Sequence, residues 1–143
     1  MFLPWGDGSA TIPLVGAEDV SHVATALLTN SELPSQRTFD LIAAISTVRQ
    51  IVGTLSIVLQ RPIRYVEITD EQWAETVRGH LNLHALDHLS HLWRYFRSPE
   101  KRSTEEARIV TDTIHAVTGR RAQTLEEFFR ANAEEFGGVP AAN

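Results

Sequence analysis

The run TVRQIVGTLSIVLQRPIRYVEITDEQ, residues 47–72, decides the fold class. It opens with Thr47-x-x-Gln50, a capping box. The threonine hydroxyl of such a box accepts from the amide three residues on, and the glutamine reaches back to the threonine N–H. Ile51, Val52, Leu55, Val58 and Leu59 follow at helical spacing. Arg61-Pro62 stops that helix, because proline has no N–H and its ring clashes with the preceding turn. Ile63–Ile68 then alternates as a strand does, and Thr69-x-x-Gln72 is a second capping box. Helix, strand and helix succeed one another with little linker between them, so the chain mixes α and β.

Working outward, the first ten residues read as a loop around Pro4 and the Gly6-Asp7-Gly8 turn. Ala10–Val15 reads as a strand that Pro13 confines to a sheet edge or a strand end. Gly16–Asn30 has helical spacing, with Glu18 and Asp19 in the first turn where the helix dipole favours carboxylates. Ser31–Gln36 is a turn and Arg37–Ile42 a second strand. Past the second capping box, Gly79 interrupts the helix. A further helix runs from Asn82 to Arg97 and ends at Ser98-Pro99. Ser103-x-x-Glu106 opens another that ends at Gly119, and Thr124-x-x-Glu127 opens the last, ending at Gly137-Gly138. The expected architecture is a single α+β domain over 1–143, predominantly helical, with about six helices and three short strands. It lacks a complete Rossmann domain, since three short strands make no doubly wound sheet with its own crevice.

At 143 residues the chain buries roughly two-thirds of its unfolded surface and needs no covalent staple. There is no cysteine, which excludes disulfides, thiolate-held metals and thiol catalysis together and agrees with a cytoplasmic setting. The net charge of −5 carries no basic stripe, so nucleic acid is not an expected partner. No apolar run approaches the ~20 residues that span a bilayer, so no membrane is expected. MFLPWGDGSA has neither a cationic segment nor a long apolar one, and reads as neither signal nor anchor. Twelve arginines against one lysine, Lys101, suggest a bacterial GC-rich genome.

Cofactor motifs are missing. A dinucleotide site needs glycines in a strand-to-helix turn, so that a pyrophosphate can meet the helix N-terminus. Gly6-x-Gly8 has no strand before it and Thr11 where the third glycine belongs. The chain also has no Tyr-x-x-x-Lys pair, no phosphate loop and no G-x-S-x-G elbow. No cofactor is therefore expected to be held by this chain alone.

Histidine forms the one dense cluster, four of six lying in Gly79–His91. His84, His88 and His91 fall within roughly 60° of one another on a helix, and Tyr95 joins the stripe. The opposite face, with Ala85, Leu86, Leu89, Leu92, Trp93 and Phe96, is the core face. Three readings fit the stripe. Imidazoles four apart are a workable metal spacing, but the HExxH glutamate is absent and no metal is assigned. One histidine of His84, His88 and His91 can serve as general acid or base, because imidazole titrates near neutrality. The third reading is a polar helix face without chemistry. Trp5 can lid a pocket, and Tyr95 and Asp87 flank the histidines, so these three are the substrate-binding candidates.

Three segments together resemble one family. Leu3–Val15 followed by Glu18-Asp19-Val20 resembles the segment by which NmrA-like proteins, atypical short-chain dehydrogenase relatives that bind NAD(P), enter their C-terminal half. Thr38-Phe39-Asp40-Leu41 with Leu59–Val66 resembles the family's strand, helix and "GrPvryv" strand. Val117–Phe128 resembles its "vtGrpprtfeeF" end. The likeness covers nearly the whole chain, in order. Departures are Ile42-Ala43-Ala44 where a Gly-Pro pair is usual, and Gln60 where a glycine precedes Arg61-Pro62.

The resemblance implies that this is the substrate-binding half only, the glycine-rich cofactor turn lying before residue 1. It also implies that helices near 70–97 line a substrate cleft. The apolar face that such a half turns toward its cofactor domain predicts a homodimer or a separately encoded Rossmann-type partner. The main functional expectation is a small-molecule-binding protein or a tailoring enzyme of the cyclisation, isomerisation or dehydration type, without its own nicotinamide site. The alternative is a non-catalytic regulatory remnant, or the C-terminal half of a split NAD(P)-dependent reductase.

Overall fold

Helix caps organise this chain more than strands do. The computed structural model describes residues 1–33, 37–98 and 109–137. Strand β1 is Phe2–Leu3, β2 Thr11–Leu14, β3 Ala44–Thr47 and β4 Val66–Glu67. The helices are α1 Ala17–Thr29, α2 Val48–Val58, α3 Asp70–Thr76, α4 Leu83–Arg97, α5 Thr113–Thr118 and α6 Leu125–Ala131, and a 3-10 turn follows at Ala133–Phe136. The described residues are predominantly helical, as the pattern predicts. β1 pairs in parallel with β4, and β2 pairs with β3.

The three capping boxes that fall among the described residues form as the sequence predicts. Thr47 accepts from Gln50 N, Thr69 from Gln72 N and Thr124 from Glu127 N, each with the reciprocal bond. Asn82 caps α4 by accepting from Ala85 N at 2.8 Å. α3 ends at Thr76 and Gly79 takes φ 81°, the left-handed backbone that stops the helix there.

The strands differ from expectation. Residues 37–42 form none, because Thr111 takes their backbone groups. Its Oγ1 donates to Asp40 O at 2.9 Å and accepts from Ile42 N at 3.1 Å, while its N–H donates to Ile42 O at 2.9 Å. Ala43 N–H donates to Leu14 O at 2.8 Å, and strand β3 begins at Ala44. Of Ile63–Ile68, only Val66–Glu67 is strand, since Ser56 Oγ holds Ile63 N at 3.0 Å. Its partner β1 falls in the opening segment whose composition predicts a loop; pairing with Val66–Glu67 makes it a strand. The opening of the helix expected at Ser103-x-x-Glu106 lies outside the described residues, as do Pro99 and Gly138. Residues 109–112 are not helical, so that helix does not run unbroken to Gly119.

The described residues form two compact units. The first comprises the described parts of 1–12 and 46–105. Its core is Trp5, Ala10, Val48 and Val52, packed by Leu3, Ile63, Tyr65, Trp93 and Phe96. Trp5 meets Trp93 edge-on at 4.9 Å and stacks on Phe96 at 5.6 Å, while Trp73 meets Trp93 at 5.7 Å. The second unit comprises the described parts of 13–45 and 106–143. There α1 packs on α5, and Val23, Ile114 and Phe129 are buried.

Candidate functional site: an apolar cavity in the second unit

The chain leaves β2 at Leu14, turns through Val15-Gly16 and enters α1. Gly16 is the N-cap, with extended backbone and no side-chain cap. A Cβ there would sit 3.0 Å from Gln123 Oε1 and 3.3 Å from Asp19 Oδ2, so glycine permits this close approach. Asp19, 6% exposed, accepts from Gln123 N at 2.9 Å. Its carboxylate also faces the positive end of α1. That bond ties the first turn of α1 to the segment leading into α6. Beyond it, Glu127 accepts from Thr124 N at 2.9 Å and from Arg121 Nη1 at 2.8 Å. The Arg121 guanidinium first, then the amide and hydroxyl of Thr124, hold the Glu127 carboxyl far below the usual range.

These ties frame a cavity of about 340 Å³ within this unit. Leu14, Val15, Ala17, Ala44, Leu125 and Phe128 supply most of its wall, and Gln123 and Thr124 its polar side chains. None of its lining residues is ionisable. Such a lining suits an uncharged, largely apolar molecule, with one amide available to orient it; it supplies no acid or base. Sequence reading passed over these residues because small apolar side chains at strand and helix ends carry no motif. The one signal was Gly16, a glycine at a strand-to-helix junction.

The sequence candidates lie elsewhere. His84, Asp87, His88, His91 and Tyr95 are exposed on α4 in the first unit. His91 Nδ1 lies 2.9 Å from Asp87 O and 3.4 Å from Asp87 Oδ1. Trp5 is 1% exposed, a core side chain of that unit. So the histidines, Asp87 and Tyr95 share one face, and Trp5 does not join them. His22 Nε2 lies 3.4 Å from Arg120 Nη1, a contact the sequence did not suggest.

The backbone at Gly8 and at Gly16 leaves no room for the pyrophosphate of a nicotinamide dinucleotide, although a Cβ at Gly6 would meet nothing within 4 Å. At Gly8, φ 74°, a Cβ would meet the Tyr65 ring at 3.0 Å. The space a pyrophosphate would need beside that backbone is filled by Tyr65, and Arg49 Nε donates to Asp7 O at 2.7 Å. At Gly16 the space belongs to Gln123 and Asp19, and the Asp19 carboxylate repels phosphate at the helix start. Among the described residues no helix is long and apolar enough to cross a membrane.

No protein-family model matches the sequence. The chain is 31% identical to the NAD(P)H azoreductase of Xenophilus azovorans over 144 residues, 96% of this chain and 46% of that protein. It thus spans about half the length of the curated relative it matches. Among solved structures, the triphenylmethane reductase of Citrobacter sp. complexed with NADP(H) matches with a TM-score of 0.70 at 15% identity, over 92% of this chain and 43% of that one. A nucleoside-diphosphate-sugar epimerase of Staphylococcus aureus matches at 0.69 and 17%, over 89% and 42%. An NADPH-dependent quinone oxidoreductase of Escherichia coli matches at 0.61 and 14%, over 94% and 46%. With three motif segments in family order, this shared fold and an alignment along nearly its whole length with part of a reductase, the chain is a relative of the NmrA-like, atypical short-chain dehydrogenases.

Proposed function

We propose that this chain is the substrate-side half of an NAD(P)H-dependent reductase, its dinucleotide site supplied by a Rossmann half outside this sequence. The observation that carries the reading is the alignment of 96% of the chain with under half of an NAD(P)H azoreductase. Two features of the molecule support it. Tyr65 crowds Gly8, and Gln123 and Asp19 crowd Gly16, and the apolar cavity offers binding without acid–base groups. In this division of labour the nicotinamide supplies the reducing equivalents. The second unit seats an uncharged acceptor, and the Gln123 amide fixes its polar atom.

Calorimetry with NADPH tests the first half of the statement: the chain alone should bind none. Addition of the dinucleotide-binding half of the azoreductase, in trans or fused, should then give NADPH consumption dependent on an azo dye or quinone. Ala44→Phe, which fills the cavity, should raise the acceptor KM at least about tenfold. Tight NADPH binding by the chain alone, or acceptor kinetics untouched by Ala44→Phe, overturns the reading.

A further inference from the structure

We infer that the exposed face of α4 binds one divalent late first-row transition metal through His84 and His88. Residues four apart on a helix place their Cβ atoms about 5–6 Å from each other on one side. That separation lets two imidazole nitrogens chelate one ion across a single turn. Both side chains are exposed, and neither makes a hydrogen bond or ion pair among the described residues. Ligation therefore sacrifices no existing contact.

The third histidine of the stripe is held differently. Its Nδ1 is occupied by the Asp87 carbonyl at 2.9 Å, with the Asp87 carboxylate at 3.4 Å. His91 thus stays with the turn that follows the pair. Among the described residues no group of three or more histidine, aspartate or glutamate side chains is assembled around one point. The site is accordingly a two-nitrogen chelate completed by water. Imidazole donors select copper(II), nickel(II) and zinc(II) over magnesium, with copper tightest in the Irving–Williams order. An ion bridging His84 and His88 clamps the first turns of α4, and binding to the folded state alone raises the melting temperature.

The experiment is a titration of the untagged full chain with NiCl2 and CuCl2, with MgCl2 as control, read by calorimetry and by melting temperature. One ion should bind, with copper tighter than nickel and no response to magnesium. His84→Ala and His88→Ala should each weaken binding by at least about tenfold, and His91→Ala by less than about threefold. Alanine favours helix at all three positions, and glutamine variants repeat the series with side-chain length kept. The inference fails if the wild-type chain responds no more than the His84→Ala/His88→Ala double variant. It fails equally if His91→Ala costs as much affinity as the other two.

Discussion

Gln60 is the only non-glycine among the described residues with a left-handed backbone, at φ 51°. It follows Leu59, the C-cap of α2, where a glycine would terminate the helix without a Cβ penalty. The family pattern has glycine there, so the departure visible in the sequence turns out to be a strained residue. A left-handed conformation costs an L-residue roughly 1–2 kcal/mol. Gln60→Gly should therefore stabilise the protein by about 1 kcal/mol, read as a higher urea midpoint at unchanged slope; an unchanged midpoint would show that the turn carries no strain. Tyr65 shows the opposite case, a residue whose role no motif announces. Its hydroxyl accepts from Trp5 N at 3.2 Å and donates to the oxygens of Gly6, at 2.7 Å, or Leu3, at 3.1 Å. Burial, aided by the nearby Glu67 and Asp7 charges and only partly offset by Trp5 N–H and Arg49, pushes its phenol up from the ordinary value.

Helices were legible element by element because their caps are local chemistry. Thr47, Thr69 and Thr124 each need only a partner three residues away, and so does Asn82. Strands depend on distant partners. Whether residues 37–42 pair is settled by Thr111, and whether 63–68 pair is settled by Ser56 and by β1. No reading of either segment alone contains those facts. The same non-locality governs Asp70, in the first turn of α3, which accepts from Arg97 Nη2 at 2.8 Å to both oxygens and lies 3.4 Å from Arg94 Nε on α4. Burial alone would raise its pKa, but the Arg97 bonds and charge, with those of Arg94, outweigh it and hold the carboxyl below the ordinary value. The unfolded chain then binds a proton more readily than the folded one. The pair's contribution is complete above about pH 4, the unfolded carboxylate value, and is lost as pH falls through the lower folded value. Asp70→Asn should cost about 1–2 kcal/mol at neutral pH, and that gap should close below about pH 4 in denaturation series at stepped pH. A gap that stays constant with pH would remove the ion pair as its cause.

For the molecule as a whole, the sequence conveyed the family and the predominance of helix. It placed interest on α4 and not on the cavity, because histidines are conspicuous and alanines are not. The comparisons favour the reductase-half reading over a self-sufficient tailoring enzyme, in agreement with an apolar cavity that has no ionisable lining. Phe2 is 59% exposed and Val66 41%, on a parallel two-stranded ribbon. Parallel strands are ordinarily covered on both faces. On the proposed reading, the chain taken alone is expected to self-associate. Equilibrium sedimentation at micromolar concentration should return a mass above the 16.0 kDa of one chain; a stable monomer would end the requirement for a companion.

Trp5, Trp73 and Trp93 all belong to the first unit, as do Tyr65 and Tyr95, so the second unit has phenylalanine as its only aromatic residue. Intrinsic emission therefore watches one unit and is blind to the other. A melting curve recorded by tryptophan fluorescence will describe the surroundings of Trp5. The part of the chain that encloses the apolar cavity needs a backbone signal such as far-ultraviolet dichroism, and divergence of the two curves would reveal that the halves come apart separately.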